Sequence, residues 1–108
     1  MDNFKVIYKI LIILEKVMDL EEFDKKLIGF QELSLTEPRW NRIIAMMVNN
    51  GLISGVDVRN TFDCDYPKVT LVRPEITLKG LEYLEENSTM RKIADAAKGI
   101  TEVVTKIH

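Results

Sequence analysis

The stretch from Thr36 to Ile53, TEPRWNRIIAMMVNNGLI, constrains the fold most, because it spells out a helix start, a helix face, a helix stop and a strand start in succession. Thr36 has the chemistry of an N-cap, since its hydroxyl can accept an orphan backbone N–H of the first turn. Glu37 suits the positive end of the helix dipole. Pro38 falls in the first turn, where its missing N–H costs nothing. Trp40, Ile43, Ile44 and Met47 recur at helical spacing and make one apolar stripe. Gly51 can take the left-handed conformation that ends a helix. The opposite face carries Asn41, Arg42, Ala45 and Asn49, with Arg39 and Met46 on its shoulder. Such a small, polar, weakly basic face suits a DNA major groove, where Arg and Asn pair with guanine and adenine edges. It also suits the solvated back of an ordinary amphipathic helix, and on this helix alone that is the simpler reading.

With 108 residues the chain is long enough for one domain with a modest core. Its apolar content of 46% and charged content of 30% are those of a folded globular protein rather than a disordered one. The net charge of −2 argues against strong non-specific DNA binding but permits a local basic patch. Cys64 is the single cysteine, so no internal disulfide can form and a reducing compartment fits. The one histidine is His108, which leaves neither a His-based catalytic site nor a Cys/His zinc site. No cofactor is implied. Val6 to Leu14 is strongly apolar, yet it contains Lys9 and is too short to span a bilayer. A cytoplasmic protein without membrane contact is expected.

Residues from Asn3 to about Leu20 predict a first helix with two adjoining apolar stripes. Phe4, Ile7, Leu11, Leu14 and Met18 form one, and Val6, Ile10, Ile13 and Val17 the other. A helix apolar over so much of its girth buries more than one side. Asp19 to Asp24 reads as a solvated acidic turn anchored by Phe23, and Lys25 to Ile28 as a short extended piece. Gly29 to Leu33 has room for about one helical turn, which with the helix after Thr36 makes a helix-turn-helix outline. Ile53 to Arg59 and Lys68 to Arg73 alternate as strands, with Asn60 to Pro67 as the hairpin loop between them. The alternation places Val56 and Val58 on one face of the first strand and Val69 and Leu71 on one face of the second. Thr77 caps a further helix over Leu78 to Glu86, with Leu78, Leu81 and Leu84 inward and Asn87 at its end. A last helix is expected from about Thr89 to Ile107, where Met90, Ile93, Ala97, Ile100, Val104 and Ile107 form a heptad seam. The expected fold class is mainly α with a small antiparallel β-hairpin, in winged helix-turn-helix order. Residues 1–87 form the winged-helix domain, and 88–108 a C-terminal helix packing on the first helix or on a partner subunit.

The segment RPEITLKGLEYLEEN, with Ile76, Thr77, Leu78, Lys79 and Gly80 followed by Tyr83 and Leu84, has the LT-x-K-G-x-x-Y-L form that follows a wing strand in winged-helix regulators. Together with LTEPRWNRIIAMMVNNGLISGV upstream and STMRKIADAAKGI downstream, it resembles the YjcQ-like family, over the first helix to about Ile100. The resemblance implies a small winged-helix protein of Gram-positive bacteria and their phages. It brings no catalytic residues with it.

Under a DNA-binding reading, Arg39, Asn41, Arg42, Ala45 and Asn49 face the groove, while Arg59 and Lys68 on the wing meet phosphates. Ser34 and Thr36 donate to a phosphate near the helix N-terminus. Asp57, Asp63 and Asp65 work against this by repelling a phosphate backbone. The expected function is that of a DNA-binding transcriptional regulator, with double-stranded DNA as partner. The alternative is a protein-interaction module without DNA contact, using the acidic loop Glu21 to Asp24, the acidic wing and the apolar seam. An enzyme is not expected. Asp63 and Asp65 flank Cys64 with negative charge, which disfavours a nucleophilic thiolate, and no calcium-loop spacing is present. The surplus apolar surface of the first helix and the C-terminal seam lead to a homodimer through those two helices, with an internally packed monomer as the alternative.

Overall fold

The computed structural model describes residues 2–87, in which local capping chemistry sets the helix boundaries. Three α-helices, α1 (Asn3–Lys16), α2 (Glu37–Asn49) and α3 (Leu78–Glu86), combine with strands β1 (Ile53–Arg59) and β2 (Lys68–Ile76). Short 3-10 turns cover Val17–Asp19 and Lys25–Ile28. The expected last helix, with its seam and its role as a separate unit over 88–108, lies outside the described residues.

Helix α1 starts at Asp2, whose carboxylate accepts the Phe4 N–H at 2.8 Å. It buries Val6, Tyr8, Ile10, Leu11 and Leu14, with Ile7, Ile12, Ile13 and Val17 packed half-buried around them. Both expected stripes therefore contribute to one core, and α1 lies against α2, α3 and β2. The ends of the first stripe do not: Phe4 and Met18 are exposed.

Two segments depart from their expected form before α2. Lys25–Ile28 is a 3-10 turn rather than an extended piece, because the Asp24 carboxylate accepts the Lys26 N–H at 2.9 Å and starts a helical turn. The turn after it is stopped by Ser34, which has a φ of 58°. The Leu35 N–H donates to the Phe30 carbonyl and the Ser34 N–H to the Gln31 carbonyl, the paired bonds of a left-handed helix terminus. Ile28 and Leu33 are fully buried there, and Phe23 packs on the same core as expected.

Thr36 caps α2 by accepting the Arg39 N–H at 3.4 Å. The stripe Trp40, Ile43, Ile44 and Met47 is buried. Trp40 fastens α2 to the preceding turn, with its indole N–H donating to the buried Ile28 carbonyl at 2.8 Å and its ring tilted against Phe30. At the far end Gly51 has a φ of 75°, and the Leu52 and Gly51 N–H groups return to the Met47 and Val48 carbonyls. Gly51 thus ends the helix as expected.

The strands pair antiparallel, Arg59 with Lys68, Val58 with Val69 and Val56 with Leu71, and the base pairs Ile53 with Ile76. Between Ser54 and Val56 the register slips, so that Gly55 alone faces Val72 to Pro74. This irregularity reverses the side-chain alternation and lets Ile53 and Ile76 point inward along with Val56 and Leu71. Gly55 sits at a φ of 74°, and a Cβ there would overlap the Arg73 carbonyl. Strand β2 continues past the expected Arg73 to Ile76.

Thr77 joins three elements. Its N–H donates to the Leu52 carbonyl, its hydroxyl donates to the Gly51 carbonyl, and its oxygen accepts the Gly80 N–H at 3.0 Å to cap α3. Gly80 lies so close to Leu52 and Ile76 that a Cβ would meet the Leu52 carbonyl and the Ile76 side chain. Leu84 is buried, and Leu81 and Tyr83 are partly so. Leu78, expected inward, is exposed. It stands two residues before Gly80, about 200° around the helix from the face that meets the core.

Candidate functional site

The exposed surface of α2 and the hairpin arm beside it hold most of the residues expected at a binding site. The outer stripe of α2 is Arg39, Arg42, Met46 and Asn49, one residue per turn along a single line. Asn41 and Ala45, expected on that outer face, are buried, at 2% and 6% exposure. The reason is that α2 packs against α1 on one side and both strands on the other, so its buried arc is wider than one apolar stripe. Met46, expected on the shoulder, is instead 47% exposed near the middle of the outer line.

The hairpin loop folds back toward this line. Arg42 donates from Nη2 to the Asp65 carbonyl at 3.3 Å, and its guanidinium carbon lies 5.8 Å from the centre of the Tyr66 ring. Lys68 Nζ lies 5.9 Å from the same ring centre. Tyr66 was not singled out by sequence reasoning, since a loop of turn formers gave it no periodic neighbours. Its half-buried ring nevertheless gathers two candidate contacts from separate elements. Loss of solvent around its phenol, then the nearby Cys64 sulfur and the Glu37 charge, push the Tyr66 hydroxyl above its ordinary pKa, with Lys68 opposing.

The other candidates are dispersed. Arg39 donates from Nη1 to Asn3 Oδ1 at 3.1 Å, which ties the start of α2 to the start of α1. Arg59 pairs with Asp57 at 2.9 Å, so its charge is offset on the spot in an exposed ion pair. Ser34 and Thr36 are both exposed. Thr36 already accepts the Arg39 N–H, and Ser34 occupies its left-handed turn. The acidic residues of the loop are partly committed: Thr61 and the backbone hydrogen-bond the Asp63 carboxyl, and with Lys68 they hold it below its ordinary pKa. At the loop tip Phe62 is fully exposed. Among the described residues no group of three or more His, Cys, Asp or Glu side chains is placed to hold a metal ion. No described helix is long and apolar enough to cross a membrane.

Among the described residues, fold and site together define a small protein with three α-helices and one antiparallel hairpin, whose arm is laid against the polar face of the central helix. The sequence matches the YjcQ protein family over residues 8–103, and the chain belongs to that family. No curated protein and no solved structure was found to match it.

Proposed function

We propose that the chain is a winged-helix DNA-binding protein that acts as a transcriptional regulator, with α2 as the recognition helix and the β1–β2 hairpin as the wing. The observation that carries this reading is the single exposed line Arg39, Arg42 and Asn49 on α2, with Lys68 of the hairpin approaching the same Tyr66 ring as Arg42. Cationic and amide side chains along one helix face are what base edges and phosphates accept. The 3-10 turn at Lys25–Ile28, the turn ending at Ser34 and the helix from Glu37 follow one another in helix-turn-helix order, which supports this reading. In this reading Arg59, Ser34 and Thr36 contact phosphates outside the groove. The test is a salt titration of binding to random duplex DNA. An inverse dependence of affinity on salt is the expected result, and no binding at low salt overturns the reading.

A second reading is a protein-interaction module without DNA contact. It is favoured by an open groove of mixed polar and apolar lining between the end of α1, the acidic turn and β2. Met18, Leu20 and Val72 are exposed there beside Glu21, Glu22 and Glu75. The same salt titration separates the two readings. For assembly we propose a homodimer through the first and last helices, a reading supported by the exposed side chains of Phe4 on α1 and Met18 in the turn that follows it. Light scattering at high protein concentration checks it, since a mass of one chain ends the dimer.

A further inference from the structure

The hairpin loop does more than lie near α2, because it fixes a side chain that a groove reader would need free. An arginine that reads guanine has to extend into the groove and present two parallel N–H donors to one base edge. Arg42 instead bends to the loop, with one Nη2–H on the Asp65 carbonyl and its guanidinium on the Tyr66 ring. Reaching a base would break both contacts. The remaining guanidinium N–H groups stay available to an acceptor at the height of the loop. Lys68 approaches the same ring, so the two cations can be no farther apart than the sum of their two distances to its centre.

We propose that Tyr66 is a positioning residue that holds Arg42 and Lys68 together as a clamp for phosphates of a DNA backbone, so that Arg42 contacts the backbone and not base edges. The inference rests on the DNA-binding reading and narrows it: sequence preference then falls to Arg39 and Asn49. Cations held over an aromatic face keep their charge while giving up little side-chain freedom on binding. Glu37, Asp63 and Asp65 surround the clamp and limit it to one or two phosphates rather than a broad basic track. Both cations are placed by their approach to the ring centre, so the ring rather than the hydroxyl does the positioning.

The experiment is a salt titration of binding to a random duplex and to duplexes selected from a random pool by the wild-type protein. The variants are Arg42→Ala, Lys68→Ala, Tyr66→Phe and Tyr66→Leu. Arg42→Ala and Lys68→Ala should each weaken all duplexes by the same factor and lower the salt slope by about 0.9, the value for one phosphate contact. Tyr66→Phe should bind as wild type, and Tyr66→Leu should lose at least as much as either single cation variant. Wild-type binding by Tyr66→Leu overturns the clamp, as does an Arg42→Ala loss confined to selected duplexes. If Tyr66→Leu does not fold, the Arg42/Lys68 double variant decides, because a clamp requires its loss to differ from the product of the two single losses. If the wild type binds no duplex at low salt, the DNA reading fails by itself. The clamp is then judged with inorganic tripolyphosphate, where equal affinity of wild type and Arg42→Ala removes it too.

Discussion

Replacing Trp40 by Phe tests the joint between α2 and the turn before it. The indole is 7% exposed, its N–H donates to the Ile28 carbonyl in a fully buried setting, and its ring meets Phe30 at a 60° tilt. Phenylalanine keeps the aromatic contact but strands the Ile28 carbonyl, which costs about 1–3 kcal/mol for a buried group left without its donor. The smaller ring also leaves a void, which adds about 1 kcal/mol. Trp40→Phe should therefore destabilise by about 2–4 kcal/mol, and at about 4–8 °C per kcal/mol for a domain of this size it should lower the melting temperature by 8 °C or more. Trp40→Ala should cost about 3–5 kcal/mol from lost burial, with the stranded carbonyl added to that. Urea unfolding followed by circular dichroism gives both values. Trp40 is the one tryptophan of the chain, so wild-type fluorescence reports its environment without ambiguity and should shift to the red on unfolding. A Trp40→Phe loss below about 0.5 kcal/mol would show that the Ile28 bond contributes nothing net, and the reasoning from an orphaned buried acceptor would fail.

Gly80→Ala should destabilise by about 1–3 kcal/mol or more, since its Cβ meets the Leu52 carbonyl, and chemical denaturation measures the loss. Thr77→Val removes both the α3 cap and the bond to the Gly51 carbonyl, for a loss of about 1–2 kcal/mol that Thr77→Ser should largely restore. A spectrophotometric titration should find Tyr66 and Tyr83 ionising above the ordinary tyrosine value, burial being the first cause in each, and Tyr66→Phe should remove one late transition. Because these folded-state values are raised, their contribution to stability is complete below the unfolded value and is lost as pH rises through the folded one. Alkaline solution should therefore lower the stability of the fold while mild acid leaves this contribution in place.

The features legible in the sequence are those with local causes. Thr36, Gly51, Thr77 and Asn87 set helix ends because capping depends only on neighbours a few residues away, and all four act where expected. Alternation gave the hairpin and the shared face of Val56 and Val58 with Leu71 and Val69, of which Val56, Val69 and Leu71 pack on the core. The alternation reversal at Gly55 was not legible, because the slip is imposed by the base of the arm, where Ile53 and Ile76 must reach the core. Side-chain polarity misplaced Asn41 and Ala45, since a polar or small residue gives no sign that a second packing surface will cover it. Tyr66 escaped notice for the same reason in reverse: its partners lie on α2 and at the start of β2, and only the return of the chain brings them to one ring.

The junction at Thr77 has a mechanical consequence. Its N–H on the Leu52 carbonyl closes the base of the hairpin, so the arm leaves the helical body and rejoins it at nearly one point. A segment fastened that way can be lengthened or exchanged at its tip without moving either end, since added loop length costs little once the ends are tied. The arm is thus an interchangeable part, with a polar brace to the central helix where Arg42 donates to the Asp65 carbonyl. Changes at the tip, from Thr61 to Cys64, should leave the helical scaffold untouched, whereas loss of the Tyr66 ring removes the surface that Arg42 of the central helix approaches.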